Sequence, residues 1–289
     1  MGIPGLASYF YQKYNKQNEI LIDIHDIKKN KYDSLFFDYN SQIHPCAQQI
    51  LSANKEKYNS ENTSVDEIEK DIIEGCLNYT KLIMNIVGAK NVYITIDGVA
   101  PRSKMQQQRE RRYKSEFIKV EGKSSLWDSN KITPGTNFMS KLSESLFKFK
   151  KETNNFIIEI SDSDEIGEGE HKIMNIIEKI DLHKKCIIYG LDCDLLMLSL
   201  MKKQHITLIR DNSFDKNERS FNQKIDFVDI STLKRYISNT IYDAGKIKGV
   251  FNESINLDKL LSDYIVLGFF LGNDFLEHLP STQIRKGGI

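Results

Sequence analysis

The sequence predicts an α/β protein, a twisted and mainly parallel sheet with helices on both faces. Three observations carry this expectation. Short apolar runs rich in β-branched and aromatic residues, among them Leu35-Phe36-Phe37, Val92-Tyr93-Ile94-Thr95-Ile96 and Cys186-Ile187-Ile188, have the length of buried strands. Between them lie longer stretches with apolar residues at steps of three and four. One strand–helix–strand unit runs from Leu35 to Ile96, and such a unit favours parallel pairing.

In chain order, Leu6 to Tyr14 is a short amphipathic stretch, and residues 15–33 are polar and loop-like. Leu35-Phe36-Phe37 is the first strand and ends at Asp38. Residues 52–63 form a polar loop. Ser64-Val65-Asp66-Glu67 is a capping box, and the helix behind it aligns Ile68, Ile72, Cys76, Tyr79, Ile83 and Ile86 toward a core. Gly88 stops that helix. The strand over 92–96 ends at Asp97. Residues 102–114 are basic, lack Pro and Gly, and read as a helix, with 115–136 irregular. Thr133-Pro134-Gly135-Thr136 is a turn that opens a helix to about Lys151. A strand over 156–160, an acidic loop from Ser161 to Gly169, a helix over 171–180, and strands over 186–190 and 206–209 follow. Residues 210–224 read as a loop, and 231–240 and 256–271 as helices.

The chain has 289 residues, 40% hydrophobic and 28% charged, an ordinary globular composition with room for one large domain or two small ones. Forty Lys and Arg balance forty Asp and Glu, so any nucleic-acid site must come from local clustering. Cys46, Cys76, Cys186 and Cys193 form no CxxC pair, which argues against a zinc site or a disulfide framework and fits a reducing compartment. Cys76 and Cys186 fall in apolar runs and belong to the core. No apolar run approaches transmembrane length, and the N-terminus lacks the pattern of a signal peptide.

Carboxylates recur where strands end. Asp38 and Asp97 close the first two strands, and Asp192 and Asp194 follow the strand at Cys186. Glu168 and Glu170 sit between a strand and a helix in Gly167-Glu168-Gly169-Glu170-His171, and Asp274 lies beside Gly272. In a parallel sheet, strand-end residues converge on one edge, where ligands bind. Each acid alone reads more readily as a helix cap than as a ligand. Together, seven carboxylates in one cleft could not all ionise unaided. Hard divalent cations resolve this, and an oxygen-only, sulfur-free set suits Mg²⁺ or Mn²⁺. Two such ions roughly 3.5–4 Å apart would suit in-line phosphodiester hydrolysis.

A few residues past Asp97, Lys104, Gln108, Arg111 and Arg112 fall on one side of the basic helix. Three cations and an amide there suit a terminal phosphate, although such a run is also the usual mark of a solvated helix. His44 is either a structural residue or, beside such a site, a base-stacking one. Trp127 and Phe117 are expected in the core.

Phe37-Asp38-Tyr39-Asn40-Ser41, Ile96-Asp97-Gly98-Val99-Ala100-Pro101-Arg102-Ser103-Lys104-Met105, Ile132-Thr133-Pro134-Gly135-Thr136, Gly167-Glu168-Gly169-Glu170-His171-Lys172, Tyr189-Gly190-Leu191-Asp192-Cys193-Asp194 and Leu271-Gly272-Asn273-Asp274-Phe275-Leu276 together resemble the 5′→3′ exoribonuclease (XRN) family, in the family's order. Met1-Gly2-Ile3-Pro4 is similar to the family's start. The resemblance implies a PIN/flap-nuclease-like α/β core that hydrolyses 5′-monophosphorylated single-stranded RNA processively to nucleoside 5′-monophosphates, with Mg²⁺ or Mn²⁺, two ions. It implies that Asp38, Asp97, Glu168, Glu170, Asp192, Asp194 and Asp274 bind metal. Lys104, Gln108, Arg111 and Arg112 match the pocket for the 5′-phosphate, and His44 the residue that stacks on the first base. It divides the chain into a nuclease domain over 1–240 and, over 241–289, the start of a second conserved region carrying the last acid. No membrane partner is implied, and the cytoplasm is the expected compartment, with the family working in the nucleus as well.

Cys193 stands where the family usually has a smaller residue, and Tyr39 and Pro45 differ from its commoner choices. The family continues into the region that closes the active site, whereas this chain ends at Ile289, so a fragment and a reduced member are both open. A structure-specific DNA nuclease of the flap-endonuclease type shares the acid pairs but not the basic-helix motif. A non-catalytic RNA 5′-end-binding protein would bind without metal-dependent turnover.

Overall fold

The computed structural model describes residues 6–14, 19–58, 63–120, 127–211, 225–251, 255–272, 276–277 and 279–281. In chain order the elements are α1 (Leu6–Tyr14), β1 (Leu21–Ile22), α2 (Ile24–Lys29), β2 (Ser34–Asp38), α3 (Asn40–Ala53), α4 (Lys55–Tyr58), α5 (Val65–Val87), β3 (Asn91–Thr95), α6 (Arg102–Val120), α7 (Asn137–Glu152), β4 (Ile157–Ser161), α8 (Gly169–Ile177), β5 (Lys185–Tyr189), α9 (Cys193–Met201), β6 (His205–Asp211), β7 (Ile225–Asp229), α10 (Ile230–Ile247) and α11 (Leu257–Gly268). They fall into two units, one of residues 28–179 and 186–190, the other of residues 1–27, 180–185 and 191–289.

The first unit carries the parallel sheet that the strand–helix–strand pattern predicts, in the order β5-β2-β3-β4. All five residues of β2 are buried, so this central strand is covered on both faces, and its unbroken apolar run reflects that. Aromatic neighbours reinforce the register. Phe36 pairs with Tyr93 and their rings stack at 4.8 Å; Phe37 pairs with Tyr189, ring centroids 5.7 Å apart. Ser64 Oγ caps α5 by accepting from Glu67 N–H at 3.2 Å, and Gly88 ends the helix in the left-handed conformation (φ 69°). The α5 face that packs inward also includes Glu69 and Thr80, which the apolar periodicity does not reveal.

Glu69 is 3% exposed, and Lys131 and Lys141 reach its two oxygens at 2.6 and 2.7 Å. Burial alone would raise its pKa; the two lysines outweigh that and hold it below the ordinary Glu value of 4.5. A depressed carboxylate stabilises the fold above its unfolded pKa and loses that contribution as pH falls through its folded one. Glu69→Ala is therefore expected to cost roughly 2 kcal/mol at pH 7, less than a fully buried pair because both lysines reach solvent, and the difference should shrink in urea melts repeated below pH 4.5. Equal melts at pH 7 would remove this role.

Several expectations are corrected. Residues 19–33, expected as loop, contain β1 and α2. Asp23 Oδ1 accepts from His25 N–H at 2.7 Å and starts α2. Pro45 lies within α3 and supplies no N–H to its ladder, which hides that helix in the sequence. Lys55–Tyr58 is helical within the stretch expected as loop. The basic helix runs to Val120, beyond the expected end, and Phe117 is 70% exposed on it, not core. Trp127 is buried, edge-on to Phe138 at 5.0 Å.

The second unit holds an antiparallel group, β1-β7-β6, with Leu21 opposite Val228 and Leu208 opposite Val228 on its other side. Neither β1 nor β7 is evident in the sequence: two and five residues become strands because partners distant in the chain complete their hydrogen bonds. No helix among the described residues is long and apolar enough to cross a membrane.

Candidate metal centre

In-register pairing places the C-terminal ends of the parallel strands side by side: Asp38 pairs with Thr95, Thr95 with Ser161, and Phe37 with Tyr189. Asp38 is the last residue of β2 and is buried. Its Oδ2 accepts from Ser41 Oγ at 2.6 Å, a bond set up by the turn from β2 into α3. Asp97, half-buried, lies two residues past β3. Its Oδ1 accepts from the N–H of Gly169 at 2.7 Å, while its own N–H donates to Asn40 Oδ1 at 3.1 Å. Asp97 therefore serves the N-terminus of α8, where the helix dipole favours an anion. The capping alternative is met in part: the acid at the end of one strand caps a helix far along the chain.

That helix begins very close to the sheet. A Cβ on Gly169 would lie 2.9 Å from Asp38 Oδ1 and 3.2 Å from the Thr95 carbonyl, so only glycine fits there without displacement. Thr95 Oγ1 lies 2.9 Å from Phe37 O and 3.1 Å from Gly169 O, tying β2, β3 and α8 together. Lys172 donates to Ile96 O and Asp162 O, both at 2.8 Å, and so fastens α8 to the chain leaving β3 and β4; burial lowers its pKa.

On this frame Glu168 and Glu170 are 2% and 5% exposed. Lys104 Nζ lies 2.8 Å from Glu168 Oε1 and 4.0 Å from Glu170 Oε1. His171 Nδ1 lies 3.5 Å from Glu168 Oε2 and 3.9 Å from Glu170 Oε1. Lys104 and His171 are thus the donors that face the two Glu168 oxygens. Burial acts to raise the Glu168 pKa, but His171 and Lys104 prevail and hold it low. His171 is raised in turn, first by Glu168, against the desolvation that would lower it. The Asp38 and Glu170 carboxylates approach within 4.8 Å, as do the ligand atoms of Glu168, Glu170 and His171.

Asp38, Asp97, Glu168 and Glu170 thus gather on the first unit. Asp192 and Asp194 belong to the second, at the N-cap and in the first turn of α9; both are half-buried, and the chain reaches Asp192 three residues after β5 ends. Asp274 lies outside the described residues. On α6, Lys104 is buried against the acids, Gln108 is half-buried, and Arg111 and Arg112 are exposed. His44 is exposed in the second turn of α3. Sequence reasoning left out Ser41, Asn40, Thr95, His171 and Lys172 as positioning groups. All but Thr95 lie in the quoted motifs, which was the available signal.

Buried carboxylates gathered within reach of one another, and a bare glycine against the Asp38 oxygen, fit a divalent cation held by oxygen ligands. Fold and site together define an α/β protein with a carboxylate-rich centre at the edge of a parallel sheet. The chain belongs to the family described as XRN 5′-3′ exonuclease N-terminus, which its residues 1–212 match, and residues 254–289 match the Xrn1 helical domain. The PIN/flap-nuclease-like α/β core expected of that family is the fold observed. The whole chain is 32% identical over 321 aligned positions to 5′-3′ exoribonuclease 1 of Schizosaccharomyces pombe, covering 23% of it. It is 29% identical over 359 positions to 5′-3′ exoribonuclease 2 of Candida albicans and 29% over 364 to that of Saccharomyces cerevisiae, covering 35% of each. The chain therefore spans between 23% and 35% of the length of these curated relatives.

Proposed function

We propose that this chain is the catalytic region of a metal-dependent 5′→3′ exoribonuclease acting on 5′-monophosphorylated single-stranded RNA in RNA turnover, in the cytoplasm. Membership of the XRN family, joined to the Asp38–Glu170 pair at the sheet edge, carries the reading. Asp38, Asp97, Glu168, Glu170, Asp192, Asp194 and Asp274 would hold the cations, Mg²⁺ or Mn²⁺. Such ions would supply Lewis-acid activation of water and charge stabilisation for the leaving oxygen of a phosphodiester.

The chain's own residues do the rest. Arg111 and Arg112 offer guanidinium forks to a terminal phosphate, and Gln108 adds an amide donor one turn before them. Lys104 neutralises the acids beside that pocket and stands ready for the phosphate. His44, exposed on α3, stacks on the terminal base. Asn40 and Ser41 keep Asp97 and Asp38 oriented, and Lys172 keeps α8 in place.

The test is a 3′-labelled, 5′-monophosphorylated RNA incubated with the chain in Mg²⁺ and in EDTA. Mg²⁺-dependent release of mononucleotides with a 5′-hydroxyl control spared is expected; cleavage of flap DNA with the RNA intact would overturn the reading. Arg111→Ala should lower the preference for 5′-monophosphate over 5′-hydroxyl ends about tenfold, the worth of one charge-assisted bond. An unchanged preference would remove Arg111 from the phosphate pocket.

A further inference from the structure

We infer that Arg210 is a positioning residue for the metal ligands of α9: from β6 it holds the Leu191 carbonyl and so fixes the peptide from which Asp192 directs its carboxylate. The inference rests on the reading of Asp192 and Asp194 as metal ligands and deepens it. Arg210 Nη2 donates to Leu191 O at 3.0 Å. That oxygen belongs to the planar peptide group joining Leu191 to Asp192, so a clamp on it sets the plane in which the chain enters Asp192. The donor is a cation, which makes the bond stronger than one between neutral groups.

The N-cap of α9 is the second observation. Ser64, Thr136, Asp229 and Asn256, the N-caps of α5, α7, α10 and α11, each accept from an N–H of their own helix. Asp192 occupies the same place on α9 and makes no such bond. The ordinary device that orients a capping carboxylate is therefore not used at Asp192, and the clamp on the preceding carbonyl takes its place. The clamp has a rigid base. Arg210 is the last residue but one of β6 and pairs with Asp226 of β7, which sets an opposite charge directly across the ladder. Tyr11 of α1 lies beside the same guanidinium and near Cys193; burial raises the pKa of its phenol, and the charge of Arg210 opposes that. Arg210 Nη1 is buried and has no hydrogen-bond partner among the described residues. A buried donor left unused is costly, so stability alone gives little reason for a guanidinium there.

The full chain, stripped of metal by chelation, is titrated with Mn²⁺, and bound ion is read from the loss of the free-ion paramagnetic resonance signal. Arg210→Met should weaken Mn²⁺ binding about tenfold, the usual effect of removing a group that orients a ligand. Asp192→Asn should weaken it at least as much. Arg210→Lys, which keeps the charge opposite Asp226 and so guards against loss of fold, should fall between Arg210→Met and the wild type. Asp229→Ala, which removes the cap of α10, is the control for general destabilisation: its melting temperature should fall while Mn²⁺ binding stays as in the wild type. Unchanged Mn²⁺ binding in Arg210→Met beside a weakened Asp192→Asn overturns the inference and leaves the ligands standing. An equal loss in Asp229→Ala does the same, because the effect then follows stability. Wild-type binding in Asp192→Asn removes Asp192 from the ligands, and the inference falls with that reading.

Discussion

Asp38→Asn is expected to lower Mg²⁺-dependent turnover by about a thousandfold or more, roughly 4 kcal/mol of barrier, while leaving the metal-free chain as stable as the wild type or more so. The two halves of this expectation share one cause. Asp38 is buried, and its carboxylate lies within 4.8 Å of that of Glu170. Without a dication, two like charges at that separation repel, and burial sharpens the cost. Asparagine removes one charge, keeps the shape, and can still accept from Ser41 Oγ. A group that is unfavourable to the empty fold and needed for turnover is the signature of a ligand. Rates and thermal melts of the two proteins in EDTA and in Mg²⁺ decide the matter. Unchanged turnover would make Asp38 a structural residue, and a large loss of stability in EDTA would mean that its charge serves the fold.

Gly98→Ala is expected to damage the same site without touching any acid. A Cβ there would lie 1.8 Å from the carbonyl oxygen of Glu165, a backbone atom that cannot rotate aside. Gly98 N–H donates to Gly167 O at 2.9 Å, and Gly167 N–H donates to Val99 O at 3.2 Å, so the segment after Asp97 and the acidic loop are laced together. Moving the loop shifts Glu168 and Glu170, which follow it directly. A loss of about 3 kcal/mol in urea melts is expected, at the upper end of ordinary overpacking, with weaker dication binding alongside. Gly135→Ala is the control. No atom lies within 4 Å of a Cβ there, and its φ of +83° restricts the cost to local strain of about 1 kcal/mol, with dication binding untouched. Equal effects of the two substitutions would show that the packing at Gly98 is unimportant.

The parts of this protein that can be read along the chain are those whose causes are local. The apolar runs of β2, β3 and β5, the capping box and terminal glycine of α5, and the acids just past the strands are each decided within a few neighbouring residues. A uniform apolar run implies cover on two faces, and this in turn places the strand-end acids at one edge. For Asp38 and Asp97 that placement is legible along the chain.

What needed the tertiary structure is what depends on partners far along the chain. β1 is a strand only because β7 pairs with it, and Pro45 is tolerated in α3 because that helix packs on α5, where Gln42 Nε2 donates to Cys76 O at 2.7 Å. Asp97 and Lys104 have sequence signals that allow several uses. Folding assigns Asp97 to the N-terminus of α8 and sets Lys104 on Glu168, because a charge so well buried must be met by whatever charge or donor the fold brings within about 3 Å. Residue type and spacing bring the acids to the sheet edge; burial decides which cations and amides they meet there.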